Sequence, residues 1–412
     1  MIKEIKITNF KSIVNETIEL SNVNVFIGEN GCGKTNILEA IATLSAAKDH
    51  NLNINGLSSK GVRVTKPLLT MSSFIGQKQK NDIELSAIFA FTEELAKCTI
   101  YPIDKDDIYS EWKDKKENII ENFLDEAISN GIERNDFDKI IEEQINKRLK
   151  EDYKNEINLT DLKKNLRLEI THKLKKEFLE RMSEKNLYIS KYLIFNLNTQ
   201  SLRGITNNSK EIPLGINGEG LDVLLHDFSK EEWIELKQYN YLISWLDEIL
   251  IDETDSLKYK GHKLGRSSSF LYFKDKFMRK NNNIFAAENS NEGVLNILFY
   301  LALLISRKTP KFFAIDNIES SLNPKLCRAL MKIISDLAVK QNKQVLITTH
   351  NPAILDGINL FDENQRLFVV KREDEGYTKV ERLKLKPKVK EKDIKLSEMW
   401  MRGYLGGVPN NF

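Results

Sequence analysis

The chain has 412 residues, 41% of them hydrophobic and 30% charged, enough to bury a sizeable core and to form two or three domains. Lys and Arg total 62 against 60 for Asp and Glu; the net charge of +2 excludes a global pull on nucleic acid and leaves only local patches to attract it. Cys32, Cys98 and Cys327 are too few and too scattered for a disulfide framework or a zinc knuckle, so a reducing cytoplasm is the expected setting.

Ile2, Ile5 and Ile7 alternate with charged residues and predict a strand, not a targeting segment. Residues 23–27 predict a short apolar strand that stops at Gly28. Ile37, Leu38, Ala40, Ile41 and Leu44 then recur at helical spacing, and residues 83–91 alternate as another strand. Near residue 104 the composition turns dense in Lys, Glu, Asp and Asn. Leu162, Leu166, Ile170, Leu174, Phe178 and Met182 fall every fourth position, a stripe that drifts by about 40° per step on an α-helix. Sustained heptads are absent, so this is expected to be a compact helical insertion, not a long coiled coil. Its mixed charge favours a protein contact or solvated helices over a nucleic-acid groove.

Residues 231–251 read as an amphipathic helix and 270–277 as a strand. After about 285 an α/β alternation returns: helix 294–306, strand 312–315, helix 325–338, strand 344–348, then a strand pair near 367–371 and 378–385. The apolar run of the first of these helices falls short of the roughly 20 residues of a membrane span and is expected to be buried, with no membrane anchor. The expected division is an amino-terminal part at 1–103, an insertion at 104–230 and a carboxy-terminal part at 231–412.

Gly28, Glu29, Asn30, Gly31, Cys32, Gly33, Lys34 and Thr35 make a full G-x-x-x-x-G-K-[ST] loop between an apolar strand and an amphipathic helix. Such glycines let backbone N–H groups turn inward on a phosphate beside the positive end of a helix dipole. Lys34 supplies a point charge to the β- and γ-phosphates and Thr35 a hydroxyl for Mg²⁺, so ATP with Mg²⁺ is the expected ligand. Cys32 inside the loop could tune binding by oxidation, though a small spacer is the plainer reading.

Phe312, Phe313, Ala314 and Ile315 run into Asp316, as a buried strand would to deliver a carboxylate to its carboxy-terminal edge, where ligands bind in open α/β sheets; Asp316 is the second expected Mg²⁺ residue. Residues 345–350 form another apolar strand ending at His350, which can reach a γ-phosphate or an attacking water. Ser290, Asn291, Glu292 and Gly293 open the apolar helix and could hold a phosphate, although an ordinary helix cap has the same sequence.

Together these residues resemble the ABC-type ATPase heads of the RecF, SMC and OLD group. Ile5–Ile13, the phosphate loop and Asn36–Ala40 look like the opening of such proteins, Ser290–Val294 like the signature loop, Asp316–Pro324 like the Walker B and D-loop, and Thr348–Pro352 like the switch histidine. The likeness covers roughly residues 1–100 and 285–360 and is nearest to small AAA-type ATPases of bacterial anti-phage operons; Leu396–Pro409 has the look of a tail in that set. It implies an α/β head, with a mixed-sheet N-lobe and a parallel-sheet core, split by the insertion. Two subunits would sandwich ATP, Asn36 would belong to the nucleotide site, Asn291 and Gly293 would complete the partner's site, and Asn323 would lie at the seam.

Two departures bear on turnover. Asn317 stands where a water-orienting Glu is usual, so Glu319 or His350 would have to substitute. Asn291 stands at the usual signature Ser. Gln77 is the best candidate for a Q-loop residue. The chain beyond His350 is too short for a TOPRIM nuclease, which points to a separate effector protein. Lys384, Lys386, Lys388 and Lys390 alternate, as a phosphate-contacting strip or a protected sheet edge would, and keep nucleic acid open as a partner. The expected function is a sensor or regulatory ATPase of prokaryotic defence, with a RecF-like repair ATPase or a non-hydrolysing scaffold as the alternatives.

Overall fold

The computed structural model describes residues 1–90, 95–115, 184–205, 214–263, 266–384 and 395–407. β1 (Ile2–Phe10) reverses at Lys11, φ 48°, into β2 (Ile13–Glu19). Next come β3 (Val23–Ile27), α1 (Lys34–Lys48), β4 (Ile83–Phe89), β5 (Leu95–Pro102) and β6 (Trp112–Asp114). All but β3 of these strands form one sheet, ordered β2-β1-β4-β5-β6, with every neighbouring pair antiparallel.

β3 leaves that sheet for the other one. The chain continues through α2 (Glu184–Ser190), β7 (Ile194–Phe195), α3 (Lys230–Lys237), β8 (Leu246–Ile251), β9 (Leu271–Asp275) and β10 (Ile284–Ala286). It then forms α4 (Glu292–Ile305), β11 (Phe312–Ile315), α5 (Pro324–Lys340), β12 (Gln344–Thr348), α6 (Pro352–Leu355), β13 (Gln365–Arg372), β14 (Thr378–Leu383) and α7 (Leu396–Met401). The core sheet runs β14-β13-β3-β12-β11-β7, parallel except for β14. The mixed strand directions expected of the N-lobe are thus found in the core sheet, and the N-lobe sheet is antiparallel. β8, β9 and β10 form a small third sheet.

The core sheet is buried on both faces, and its strands show it with a period of two. Val23, Val25, Ile27, Phe313, Ile315, Val345 and Ile347 join one hydrophobic cluster with α4 and α5. Phe26, Phe312, Ala314 and Leu346 join the other, with α1 and the inward residues of β1. Each such Val, Ile, Leu or Phe side chain stabilises the fold by about 1.5–3 kcal/mol. α1 therefore lies between the two sheets, and its position fixes the loop that precedes it. Buried Gln344 stitches the sheets together: its amide oxygen accepts from the Ile2 N–H, and its amide nitrogen donates to the carbonyls of Ile2 and Ser21. α4 is buried on all sides from Gly293 to Ile305, and among the described residues no helix is long and apolar enough to cross a membrane.

One further expectation needs correction. The helix read over 231–251 ends at Lys237, opened by a capping box of Ser229 and Glu232; Leu246–Ile251 is instead β8, because it pairs with β9 and that pairing outweighs helical spacing. Trp112–Asp114 pairs with β5 in the first sheet and Ile194–Phe195 with β11 in the core sheet. The stripe from Leu162 to Met182 and the strip from Lys386 to Lys390 lie outside the described residues.

Candidate nucleotide-binding and catalytic site

β3, β11 and β12 are parallel neighbours, so their carboxy-terminal ends meet at one edge of the sheet. β3 ends in the loop Gly28–Gly33, and Gly33, φ 112°, caps α1. Gly28 must be glycine: its φ is 150°, and a Cβ there would lie 2.0 Å from the Val370 carbonyl oxygen. Lys34 is buried, and its Nζ donates to the carbonyls of Gly28 and Glu29, each at 2.8 Å. Burial pulls its pKa down, opposed by the nearby Cys32, Asp316 and Glu319. A cation folded back on its own loop has spare donors to offer an incoming phosphate. Glu29, Asn30 and Gly31 are exposed at the mouth of the loop.

β11 delivers Asp316 and β12 delivers Thr348. Thr35 Oγ1 lies 3.3 and 3.2 Å from the two Asp316 carboxylate oxygens, and Thr348 Oγ1 donates to Oδ1 at 2.5 Å. Thr348 also accepts the Asn317 N–H at 2.9 Å. A hydroxyl and a carboxylate suit a hard cation that keeps most of its water and phosphate ligands, as Mg²⁺ does. Among the described residues no group of three or more His, Cys, Asp or Glu side chains could hold a metal without such help.

Asn317 has φ 55°, a left-handed conformation that Asn tolerates better than Glu. Two residues on, Glu319 Oε1 accepts the His350 N–H at 2.8 Å, while its Oε2 is buried and has no hydrogen-bond partner. An orphaned carboxylate oxygen at the mouth of a phosphate loop is poised to accept from water. Burial, then the charge of Lys34, lowers the His350 pKa below its ordinary 6.5, which keeps the ring neutral at pH 7. Burial likewise pushes the Cys32 thiol up from 9.0, against a reactive thiolate.

Several contacts around the loop were invisible in the motifs. Thr378 Oγ1 on β14 donates to the Cys32 carbonyl at 2.7 Å and contacts Ser12 Oγ at 2.6 Å; Asn36 Nδ2 donates to the same Ser12 oxygen at 2.7 Å. Arg372 Nε on β13 donates to the Gly31 carbonyl at 3.1 Å. Arg63 donates through Nε to the fully buried Glu39 at 2.6 Å, which also pairs with Lys11, and its Nη2 reaches Asn36 at 3.4 Å. The bond to Glu39 raises the Arg63 pKa. The only sequence signal for Arg372 and Thr378 was the strand pair that carries them.

The signature segment is arranged differently. Asn291 caps α4, its side-chain oxygen accepting the Gly293 N–H at 2.8 Å, and Asn323 caps α5 by accepting the Leu326 N–H at 3.0 Å. A Cβ at Gly293 would lie 2.9 Å from the Ser321 carbonyl oxygen, and Ser321 Oγ donates to Glu292 at 2.8 Å. Among the described residues no hydrogen bond joins Asn291 or Gly293 to the loop at 28–36. Gln77 lies in a turn near Asn9 and Phe74, and among the described residues no bond ties its side chain to the phosphate loop.

The AAA ATPase domain family matches residues 1–355. The DNA replication and repair protein RecF of Clostridium perfringens is 47% identical over 53 residues, 13% of this chain and 15% of that protein. RecF of Listeria welshimeri is 48% identical over 50 residues, 12% and 14% of the two chains. The matched stretch is thus under a fifth of the length of these relatives. Among solved structures, an SMC head bound to the C-winged helix domain of ScpA superposes with a TM-score of 0.50 at 13% identity, over 93% of this chain and 98% of that one. The SMC head domain from Thermotoga maritima gives 0.44 at 10% identity, over 93% and 99%.

Proposed function

The chain belongs to the AAA ATPase domain family and has the fold of an SMC-type ATPase head, and from that premise we propose that it is a slow, ATP-driven dimerising switch. The observation that carries this reading is the convergence of Lys34, Thr35, Asp316, Glu319 and His350 at one sheet edge. Lys34 exchanges its two loop carbonyls for phosphate oxygens. Thr35 and Asp316 hold Mg²⁺, which when bound offsets charge on the phosphates. Glu319, through its free oxygen, orients and deprotonates the attacking water in place of a residue at 317, and neutral His350 hydrogen-bonds at the γ-phosphate. Asn291 and Gly293 of a second subunit close the site from outside, so γ-phosphate contacts draw two heads together.

Turnover of the wild type beside Lys34→Ala and Glu319→Gln tests this. If the wild type hydrolyses ATP no faster than Lys34→Ala, the enzyme reading is lost; a non-hydrolysing scaffold stays in play only if ATP still binds.

The resemblance to small defence ATPases supports a role in prokaryotic anti-phage defence, in which the switch controls a separate effector protein. Co-purification with the product of a neighbouring gene, released or retained according to nucleotide, tests that role. The similarity to RecF favours a second reading, a DNA-binding repair ATPase. It predicts DNA-stimulated turnover that is lost on neutralising Lys384, Lys386, Lys388 and Lys390.

A further inference from the structure

The segment 395–407 is not used by the chemistry above, yet it reaches both halves of the site. α7 packs on α6, the short helix that follows His350 and Asn351. Ser397 anchors it there, donating from its N–H and its Oγ to the Asp356 carboxylate at 3.1 and 2.8 Å. Leu396, Trp400 and Leu405 are buried in the same hydrophobic cluster as β3 and β13. The chain then arrives at the phosphate loop: a Cβ on Gly407 would lie 3.0 Å from Val369 Cγ1 and 3.1 Å from the Cα of Gly28. Gly28 has little room to recede, because the Val370 carbonyl already occupies the place where its own Cβ would stand.

We propose that residues 395–407 form a strap that fixes the backbone of Gly28, with Gly407 as a positioning residue for ATP. The strap is anchored beside the His350 loop and ends against the first glycine of the phosphate loop, so it joins the group facing the γ-phosphate to the backbone that cradles the β-phosphate. Nucleotide binding and strap docking are then coupled, and by linkage each strengthens the other. This rests on ATP binding at Gly28–Thr35.

The fold supplies its own control. Gly403, Gly406 and Gly407 have φ of 76°, 75° and 66°, so alanine meets similar left-handed strain at each. Their surroundings differ: a Cβ at Gly403 meets nothing within 4 Å, one at Gly406 makes an ordinary contact 3.8 Å from Val369, and one at Gly407 presses on Gly28. ATP affinity of the full chain, measured by fluorescent-nucleotide titration beside melting of the nucleotide-free protein, separates strain from contact. Gly403→Ala, which carries the strain without the contact, sets the baseline; against it Gly406→Ala should bind ATP slightly less well and Gly407→Ala about tenfold more weakly, roughly 1.4 kcal/mol, with nucleotide-free melting that matches Gly403→Ala. Equal affinity for Gly403→Ala and Gly407→Ala overturns the strap. If Gly407→Ala does not fold, Ser397→Ala decides: loosening the anchor should weaken ATP binding and speed amide exchange across 396–407, and unchanged affinity overturns the proposal. A wild type that binds no ATP is a different result, because it removes the nucleotide reading itself.

Discussion

The phosphate-loop edge and the signature edge of this head are built on opposite plans. Around Gly28–Asn36 the polar groups are tied to distant chain: Cys32 to Thr378, Gly31 to Arg372, Thr35 to Asp316, Asn36 to Ser12. At Ser290–Gly293 and Ser321–Asn323 the side chains are spent on two helix caps and on one another, and Arg203 holds the Ser290 carbonyl. The first region is a loop held in place by side chains of its own chain. The second is a rigid surface whose capping asparagines still have amide N–H groups to give, as a contributor to another subunit's site requires.

Perturbing each side separates the two plans. The largest effect belongs to Glu319→Gln, which should cost about 10²–10⁴ in turnover while ATP binding persists; steady-state rates beside equilibrium titration check it, and an unchanged rate moves the base elsewhere. Next comes Asn291→Asp. A carboxylate caps α4 as well as the amide does but cannot donate to a phosphate and repels it. ATP binding to the isolated subunit and melting should hold while turnover and nucleotide-dependent dimerisation fall, by about 10²-fold for one lost donor; a matching fall in single-subunit affinity would mean that Asn291 serves its own chain. Thr378→Val keeps the shape but orphans the Cys32 carbonyl, at about 1–3 kcal/mol. It should loosen ATP binding, and a drop in melting temperature with intact affinity would make that grip structural only.

A further effect is a pH slope far from either edge. Burial pulls the Lys343 ammonium down to about 7, although its Nζ donates to Leu303, Ser306 and Thr309 at the end of α4. Between that value and the ordinary 10.5 the unfolded chain holds a proton that the folded chain lacks, so this residue makes stability rise with pH across that window. Lys343→Met should flatten the rise in a pH series of denaturant melts. His350 acts in the same sense at lower pH. Its folded pKa lies below 6.5, so its share of stability is lost as pH falls from 6.5 through the depressed value, and turnover that needs the neutral ring should decline over the same range.

The cradle was legible in the sequence because it is local: eight consecutive residues, an apolar strand before them and a helix after. The strands that lead into the candidate site residues, Val23–Ile27, Phe312–Ile315 and Gln344–Thr348, were legible because they are buried on both faces and end abruptly in polar residues. β8 was not, since Leu246, Ile249 and Leu250 suit a helix equally well and only the pairing with β9 decides. β2 was missed because it follows β1 after only two residues, and β7 because two residues carry no period. The grips of Thr378 and Arg372 on the loop span 346 and 341 positions, and no periodicity encodes a contact at that separation.

β3 pairs with β12 on one side and β13 on the other, and buried Asn24 within it bonds the carbonyl of Val345, 321 residues further on. A ribosome adding about 5–20 residues per second therefore displays the whole glycine-lysine motif long before either neighbour of that strand exists. Until then β3 is an unpaired apolar edge. Any capacity to hold ATP at this loop should therefore appear late in synthesis and all at once, when its last neighbouring strand is in place.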